Sequence, residues 1–147
     1  MGKFSKWLII IVAFFAITAL IFSFAFREMD FGNSLPNNFP KDIPIVKGKI
    51  VSCKTARSDD LVRVVEVKIQ TELSFKDTVQ FYKTEFTCNS TKELDYPSFP
   101  IADSNVTETS AVAMYGKNTV GVFIQAKEQT TEVLVQVRGE AIYRLPQ

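Results

Sequence analysis

An uncharged apolar run limits what the N-terminal part of this chain can become. The residues from Trp7 to Phe26 read WLIIIVAFFAITALIFSFAF, interrupted only by Thr18 and Ser23. A helix of about 20 residues rises roughly 30 Å, which matches the hydrocarbon thickness of a bilayer. A helix on a water-soluble domain would need a polar face, and this run offers none. The run therefore predicts a transmembrane signal-anchor helix over residues 7–26.

The charges on either side of the run indicate its orientation. Two of the 17 basic residues, Lys3 and Lys6, precede it, whereas all 16 acidic residues follow it. Positive charge tends to stay on the cytoplasmic side of a membrane. We therefore expect a single-pass protein of the cell membrane, with a short cytoplasmic tail of residues 1–6 and an extracytoplasmic C-terminal domain.

A cleaved signal peptide is the alternative interpretation of the same run. Ser23 and Ala25 place small residues at the two key positions of a candidate cleavage site. The run is, however, longer than the roughly 7–15 apolar residues of a signal peptide, and Phe24 and Phe26 crowd the site with bulky rings. These features favour an uncleaved anchor.

Composition argues against several classes of function. The chain has no histidine, which removes the commonest general base, the commonest metal ligand and every histidine-dependent nucleophile pair. Its six glycines are scattered and form no phosphate-binding loop. Basic and acidic residues nearly balance beyond the run, so neutralisation of phosphates would supply little affinity for nucleic acid. We expect a protein that is not an enzyme and uses no metal or cofactor.

Residues 27–47 are expected to link the run to a folded domain at 48–147. Pro36, Pro40 and Pro44 recur every fourth residue, a spacing that blocks both a helix and a central strand. This spacing predicts an extended, semi-rigid linker that lifts the domain off the membrane. The apolar residues of the linker are alternatively expected to pack onto the domain edge, namely Phe39 and Ile43 or Ile45.

Alternating apolar and polar residues predict antiparallel strands in the domain. In residues 61–71, for example, Val65, Val67 and Ile69 fall on one face. The predicted strands are 48–55, 61–71, 108–115, 119–127 and 132–139. Short connections make consecutive strands antiparallel neighbours. Asp59 and Asp60 fit a turn between the first two strands better than a carboxylate pair for catalysis or calcium.

One amphipathic helix is predicted between the second and third strands. Ser74 fits a helix N-cap with Asp77 three residues later, and the helix runs over residues 75–86. The order β-β-α-β-β-β predicts an α+β fold, a two-layer sandwich in which one helix covers one face of an antiparallel sheet of about five strands. The helix carries an apolar stripe that either fills the core or grips a ligand, formed by Phe75, Val79, Tyr82 and Phe86. Phe81 projects away from this stripe, so it is either covered by the following loop or contacts a partner.

Two motifs resemble a layout that recurs in uncharacterised bacterial envelope proteins. The first is a Leu-Pro-x-x-Phe-Pro-x-Asp-x-Pro segment, which here is formed by Leu35, Pro36, Phe39, Pro40, Asp42 and Pro44. The second reads roughly as a Ser-Phe-x-x-Val-x-x-Phe-Tyr helix, and Ser74, Phe75, Val79, Phe81 and Tyr82 match it here. The layout often carries Gly-Trp after the helix, where this chain has Thr87, Cys88 and Asn89. The resemblance implies a membrane-anchored α+β domain and implies no activity.

The two cysteines, Cys53 and Cys88, are too far apart for a CxxC motif and too few for a cysteine zinc site. Outside the cytoplasm such a pair most often forms a structural disulfide. Two buried free thiols and a reactive redox pair are the alternatives.

These observations favour a non-enzymatic extracytoplasmic domain that docks another envelope component, as an accessory or assembly module. Its binding surface is expected to be the open sheet face or a strand edge. The alternative is a domain that binds a small apolar ligand between sheet and helix. A hydrolase or redox enzyme is disfavoured by the missing histidine.

Overall fold

The computed structural model describes residues 3–25, 28–57, 63–93 and 106–139. These ranges contain two helices, α1 (Lys3–Ala25) and α2 (Phe75–Asn89). They also contain six strands, which are β1 (Lys49–Arg57), β2 (Arg63–Thr71), β3 (Lys92–Glu93), β4 (Glu108–Tyr115), β5 (Asn118–Ala126) and β6 (Thr131–Arg138). The fold is α+β, as the alternating and helical patterns predict. The predicted turn at Asp59 and Asp60 lies outside the described residues.

All six strands form one antiparallel sheet in the order β1-β2-β6-β5-β4-β3. The five longer strands are those predicted, and β3 adds a two-residue edge in which Lys92 lies opposite Met114. The β4–β5 turn is a tight one in which Gly116 adopts a φ of 59°, a conformation that glycine reaches without steric cost. β6 joins the two halves of the sheet, because it pairs with β5 on one side and with β2 on the other.

The core lies on the face of the sheet that α2 covers. Alternate residues of the three central strands are buried there, which confirms the predicted inward faces: Val65, Val67, Ile69, Val120, Val122, Ile124, Val133, Val135 and Val137. These β-branched side chains suit a pleated sheet, since their restricted rotamers pack well against cross-strand neighbours. The opposite face carries the polar residues of the same strands, among them Glu66, Lys68 and Gln136.

Helix α2 begins as predicted and ends one turn later. The Ser74 hydroxyl accepts a hydrogen bond from the Asp77 amide (3.1 Å) and donates one to the Asp77 carboxylate (2.7 Å), so the N-cap satisfies an amide that the helix leaves free. At the other end, the Asn89 amide group donates to the Glu85 carboxylate (2.7 Å). The helix packs mainly against β5 and β4.

The proline-rich segment, residues 28–47, packs against the domain and is not the extended spacer that its prolines predict. Its N-terminal part adds to the edge of β1, where Asp30 forms an antiparallel bridge with Lys54. Its C-terminal part enters the core, where Ile43 and Val46 are buried. The apolar side chains outweigh the stiffness of the prolines, and the alternative prediction of packing by Phe39, Ile43 and Ile45 describes the segment correctly.

Helix α1 exposes its apolar side chains. The structure describes the side chains of residues 7–21 and of Ser23 in this helix, whereas the apolar run in the sequence reaches Phe26. Across the described residues, no helix is both long and apolar enough to cross a membrane. The transmembrane helix predicted over residues 7–26 is therefore not found there.

Candidate docking groove

A half-open groove of about 750 Å³ runs between the proline-rich segment and α2. One wall is the segment itself, and the other is the outward side of the C-terminal half of the helix. The residues that line the groove are Leu35, Pro36, Phe39, Pro40, Lys41, Asp42, Ile43, Pro44, Ile45, Phe81, Glu85 and Asn89. The segment with regularly spaced prolines therefore supplies most of the residues that line the groove.

Two consecutive turns shape the segment wall. The Phe39 amide donates to the Pro36 carbonyl (2.9 Å), and the Ile43 amide donates to the Pro40 carbonyl (3.4 Å). Pro36 and Pro40 therefore each begin a four-residue turn, and the two turns fold this part of the segment. The turns leave Leu35, Phe39 and Ile45 only partly buried against the core.

Side chains of the sheet and helix hold the end of the segment in place. The Val46 amide donates to the Tyr82 hydroxyl (3.3 Å), a bond buried in the core. The Thr71 hydroxyl donates to the Lys47 carbonyl (2.8 Å). Each bond satisfies a backbone group that the turns leave without a partner within the segment. The wall is therefore fixed before any ligand arrives.

Phe81, the predicted contact residue, lies in the groove. Its ring is half-buried and meets the Tyr82 ring edge-on, with 5.0 Å between the centroids. The side chain packs partly against the core from one side and lines the groove on the other. The proline-rich segment flanks it, whereas residues 94–105 of the loop predicted to cover it lie outside the described residues.

Acidic groups dominate the charge near the groove. Asp42 and Glu85 stand against Lys41 among its lining residues. Both carboxylates act on the Tyr115 hydroxyl, which donates a hydrogen bond to the backbone carbonyl of Glu85 (3.2 Å). Burial, and then the charges of Glu85 and Asp42, raise the pKa of Tyr115 to about 12. The groove therefore combines apolar side chains with two carboxylates and one lysine.

The predicted apolar stripe of α2 fills the space between helix and sheet. Tyr82 and Phe86 are buried, and their rings stand edge-on at 5.9 Å. The Phe86 ring in turn meets Tyr115 of β4 at 6.0 Å. Phe75 and Val79 are partly buried against the same cluster. These contacts give the stripe a packing role and do not favour a ligand held between helix and sheet.

The predicted disulfide is wrong, because both cysteines are free. Cys53 lies on the inner face of β1 with no exposure, whereas Cys88 is exposed on the last turn of α2. A disulfide needs β-carbons about 4 Å apart, and these two side chains face different environments. Burial, reinforced by the charge of Asp30, raises the pKa of the Cys53 thiol to about 11, so it stays protonated and unreactive.

A second concave surface lies on the open face of the sheet. The sequence predicts this face as a possible binding surface but does not indicate which residues form it. The concave surface measures about 580 Å³ and centres on Phe123, which is 47% exposed, and its cross-strand neighbour Leu134. An ion pair between Lys68 and Glu132 (3.3 Å) crosses it. The available sequence signal was Phe123 itself, an aromatic residue at a position where the alternation of β5 calls for a polar one.

The described residues offer no cluster of three or more carboxylate or cysteine side chains that would hold a metal ion. No protein-family model, curated protein or solved structure matches the chain. The groove and its chemistry are consequently the basis for inferring function.

Proposed function

We propose that the protein is a non-enzymatic, membrane-anchored docking module that binds another envelope protein through the groove between the proline-rich segment and α2. The observation that carries this proposal is the position of Phe81. The Phe81 ring packs edge-on against Tyr82 and also lines the groove opposite the proline-rich segment. A rigid, half-buried aromatic side chain in a pocket is typical of the anchor points of protein interfaces.

The exposure of α1 supports the membrane anchor. The side chains of Trp7, Phe14 and Phe15 are each about two-thirds exposed, at 68%, 67% and 68%. An apolar helix left in water is strongly unfavourable, so a surface this apolar requires a covering. The sequence continues the apolar run to Phe26, and the basic residues before the run favour an orientation with the domain outside the cytoplasm.

The groove chemistry defines the kind of partner. Leu35, Phe39, Ile45 and Phe81 offer apolar surface to one or two large apolar side chains. Asp42 and Glu85 among the same lining residues offer negative charge. A short peptide segment with apolar anchors beside a lysine or arginine complements both features.

Site-specific photo-crosslinking in intact membranes tests this proposal. A photoreactive phenylalanine analogue at position 81 is expected to yield one discrete cross-linked protein. The same analogue at Lys83, which is exposed on α2 and does not line the groove, serves as the matched control and should not yield it. Identical products from both positions, or none from position 81, would contradict the groove as the docking site.

Substitutions then test the chemistry. Phe81→Ala removes the apolar anchor and Asp42→Lys reverses a groove charge, so each is expected to reduce the yield of the cross-link from a probe at Phe39 at least fivefold. Phe123→Ala, on the other sheet face, should leave it unchanged. A greater loss from Phe123→Ala than from Phe81→Ala would transfer the docking site to the open face of the sheet.

A further inference from the structure

The connection between α1 and the sheet is very short. Helix α1 ends at Ala25. The Met29 amide already donates to the Thr55 hydroxyl of β1 (2.7 Å), and the Thr55 amide donates back to the Met29 carbonyl (2.8 Å). Only residues 26–28 lie between these two fixed points. Even a fully extended chain covers at most about 14 Å over that interval.

The anchored corner of the domain, defined here as Met29, Asp30, Lys54 and Thr55, is fixed to β1 by more than one bond. The Asp30–Lys54 bridge continues the pairing, and the Phe31 amide donates to the Cys53 carbonyl (2.8 Å). Because the segment runs antiparallel to β1, the chain leaves this corner towards the opposite end of the sheet. This end of β1 therefore stays close to the end of α1 unless the bonds between the segment and β1 break.

The sheet register identifies the two ends of the domain. Thr55 lies opposite Val65, which lies opposite Val137 of β6. The β5–β6 turn lies at the other end of the sheet, where Thr131 of β6 is opposite Thr71. Six residues of β6 separate these two rows, which corresponds to about 20 Å along the strand.

We propose that the anchored corner rests against phospholipid headgroups, so that the domain stands directly on the bilayer with its β5–β6 turn directed away. This inference rests on the proposed membrane insertion of α1. The polar zone of a bilayer extends roughly 5–8 Å beyond its hydrocarbon on each side. Because the connection spans at most about 14 Å, the corner lies within this zone or only a short distance beyond it.

The charges at the corner suit zwitterionic lipid. Asp30 and the nearby Glu28 are exposed acidic residues, and the Lys54 side chain stays 51% exposed although it pairs with Glu66 at 3.9 Å. A surface with both signs complements headgroups that carry a phosphate and an ammonium group, and it does not depend on anionic lipid. Contact with the bilayer is accordingly expected to persist when salt is raised, since screening weakens surfaces of a single sign most.

Energy transfer from the protein to labelled lipid tests this orientation. The full-length chain with Cys88→Ser, in which Cys53 is buried, would be labelled at Lys54→Cys or at Glu128→Cys and placed in phosphatidylcholine vesicles that contain a headgroup-labelled acceptor lipid. Transfer from position 54 is expected to exceed that from position 128 at least twofold. Insertion of twelve Gly and Ser residues between Glu28 and Met29 should abolish the difference.

Two different failures are distinguishable. A full-length protein that does not float with the vesicles contradicts the membrane anchor itself, and the orientation fails with it. A protein that floats but gives equal transfer from both positions, or is unaffected by the insertion, overturns the orientation alone.

Discussion

The backbone amide of Val46 donates a hydrogen bond to the hydroxyl of Tyr82, 3.3 Å away and fully within the core. This bond connects the end of the proline-rich segment to the middle of α2. Tyr82 has no exposure and Val46 has only 2%. The segment and the helix that form the two walls of the groove are thus joined by a buried hydrogen bond.

Removal of the Tyr82 hydroxyl should be costly. Tyr82→Phe leaves the Val46 amide buried without an acceptor, so the free energy of unfolding is expected to fall by about 1–3 kcal/mol. Tyr115→Phe is the matched control. Because the Glu85 carbonyl that loses this donor lies within a helix, the substitution should lower the free energy of unfolding by less than about 1 kcal/mol. Urea unfolding monitored by circular dichroism measures both, and equal costs would contradict the role of the buried bond.

The proline-rich segment should contribute to stability through Ile43. Ile43 is only 4% exposed, so Ile43→Ala should leave a cavity and lower the free energy of unfolding by about 2–4 kcal/mol. Ile45→Ala, two residues away and only partly buried, should cost less than half as much. Similar small effects from both substitutions, measured by chemical denaturation, would indicate that the segment does not belong to the domain.

The two cysteines should differ sharply in reactivity. Cys88 is exposed and is expected to react with a maleimide within minutes, whereas Cys53 should react only as the domain opens. Mass spectrometry of the native protein should therefore show one modification per chain, and two after unfolding in urea. A chain that resists modification until it is reduced would restore the disulfide.

Alkaline pH should destabilise the domain. Burial raises the pKa of the Cys53 thiol from 9.0 to about 11, so between these values the unfolded chain releases a proton that the folded chain keeps. The stability that this thiol contributes is complete below pH 9 and is lost as the pH rises towards 11. Tyr82 and Tyr115, whose pKa values are also raised by burial, act in the same direction at higher pH.

A substitution isolates the thiol in this pH dependence. Cys53→Ala should flatten the decline in the free energy of unfolding between pH 9 and pH 10, whereas Cys88→Ala should preserve it. Unfolding curves collected at half-unit intervals give the slope, and identical slopes for both variants would contradict this assignment.

Local patterns in the sequence predict the regular elements well. Alternation identifies the inner faces of β2, β5 and β6, since only every second residue can reach the core. Ser74 and Asp77 mark the start of α2, because a side-chain cap is a property of neighbouring residues. The end of α2 is less certain from sequence, and the helix continues to Asn89.

Long-range relationships are what the sequence patterns miss. Nothing in the periodicity of β2 or β6 specifies that these strands pair, because the hydrogen bonds involve backbone groups that every residue carries. The proline-rich segment has neither the apolar periodicity of a helix nor that of a strand, and its position in the fold depends on where Tyr82 and Thr71 place their hydroxyls. The helical pattern sets Phe81 apart from the apolar stripe, but its neighbours across the groove come from a distant part of the chain.

The pairing of β2 with β6 has a consequence for biosynthesis. Thr71 and Thr131, which face each other in this pair, are 60 positions apart, and β6 also completes the hydrogen bonding of β5. The first hairpin therefore emerges from the ribosome long before the strand that covers its inner edge. A chain exported through a membrane would have to keep this edge away from neighbouring nascent chains until β6 had crossed as well.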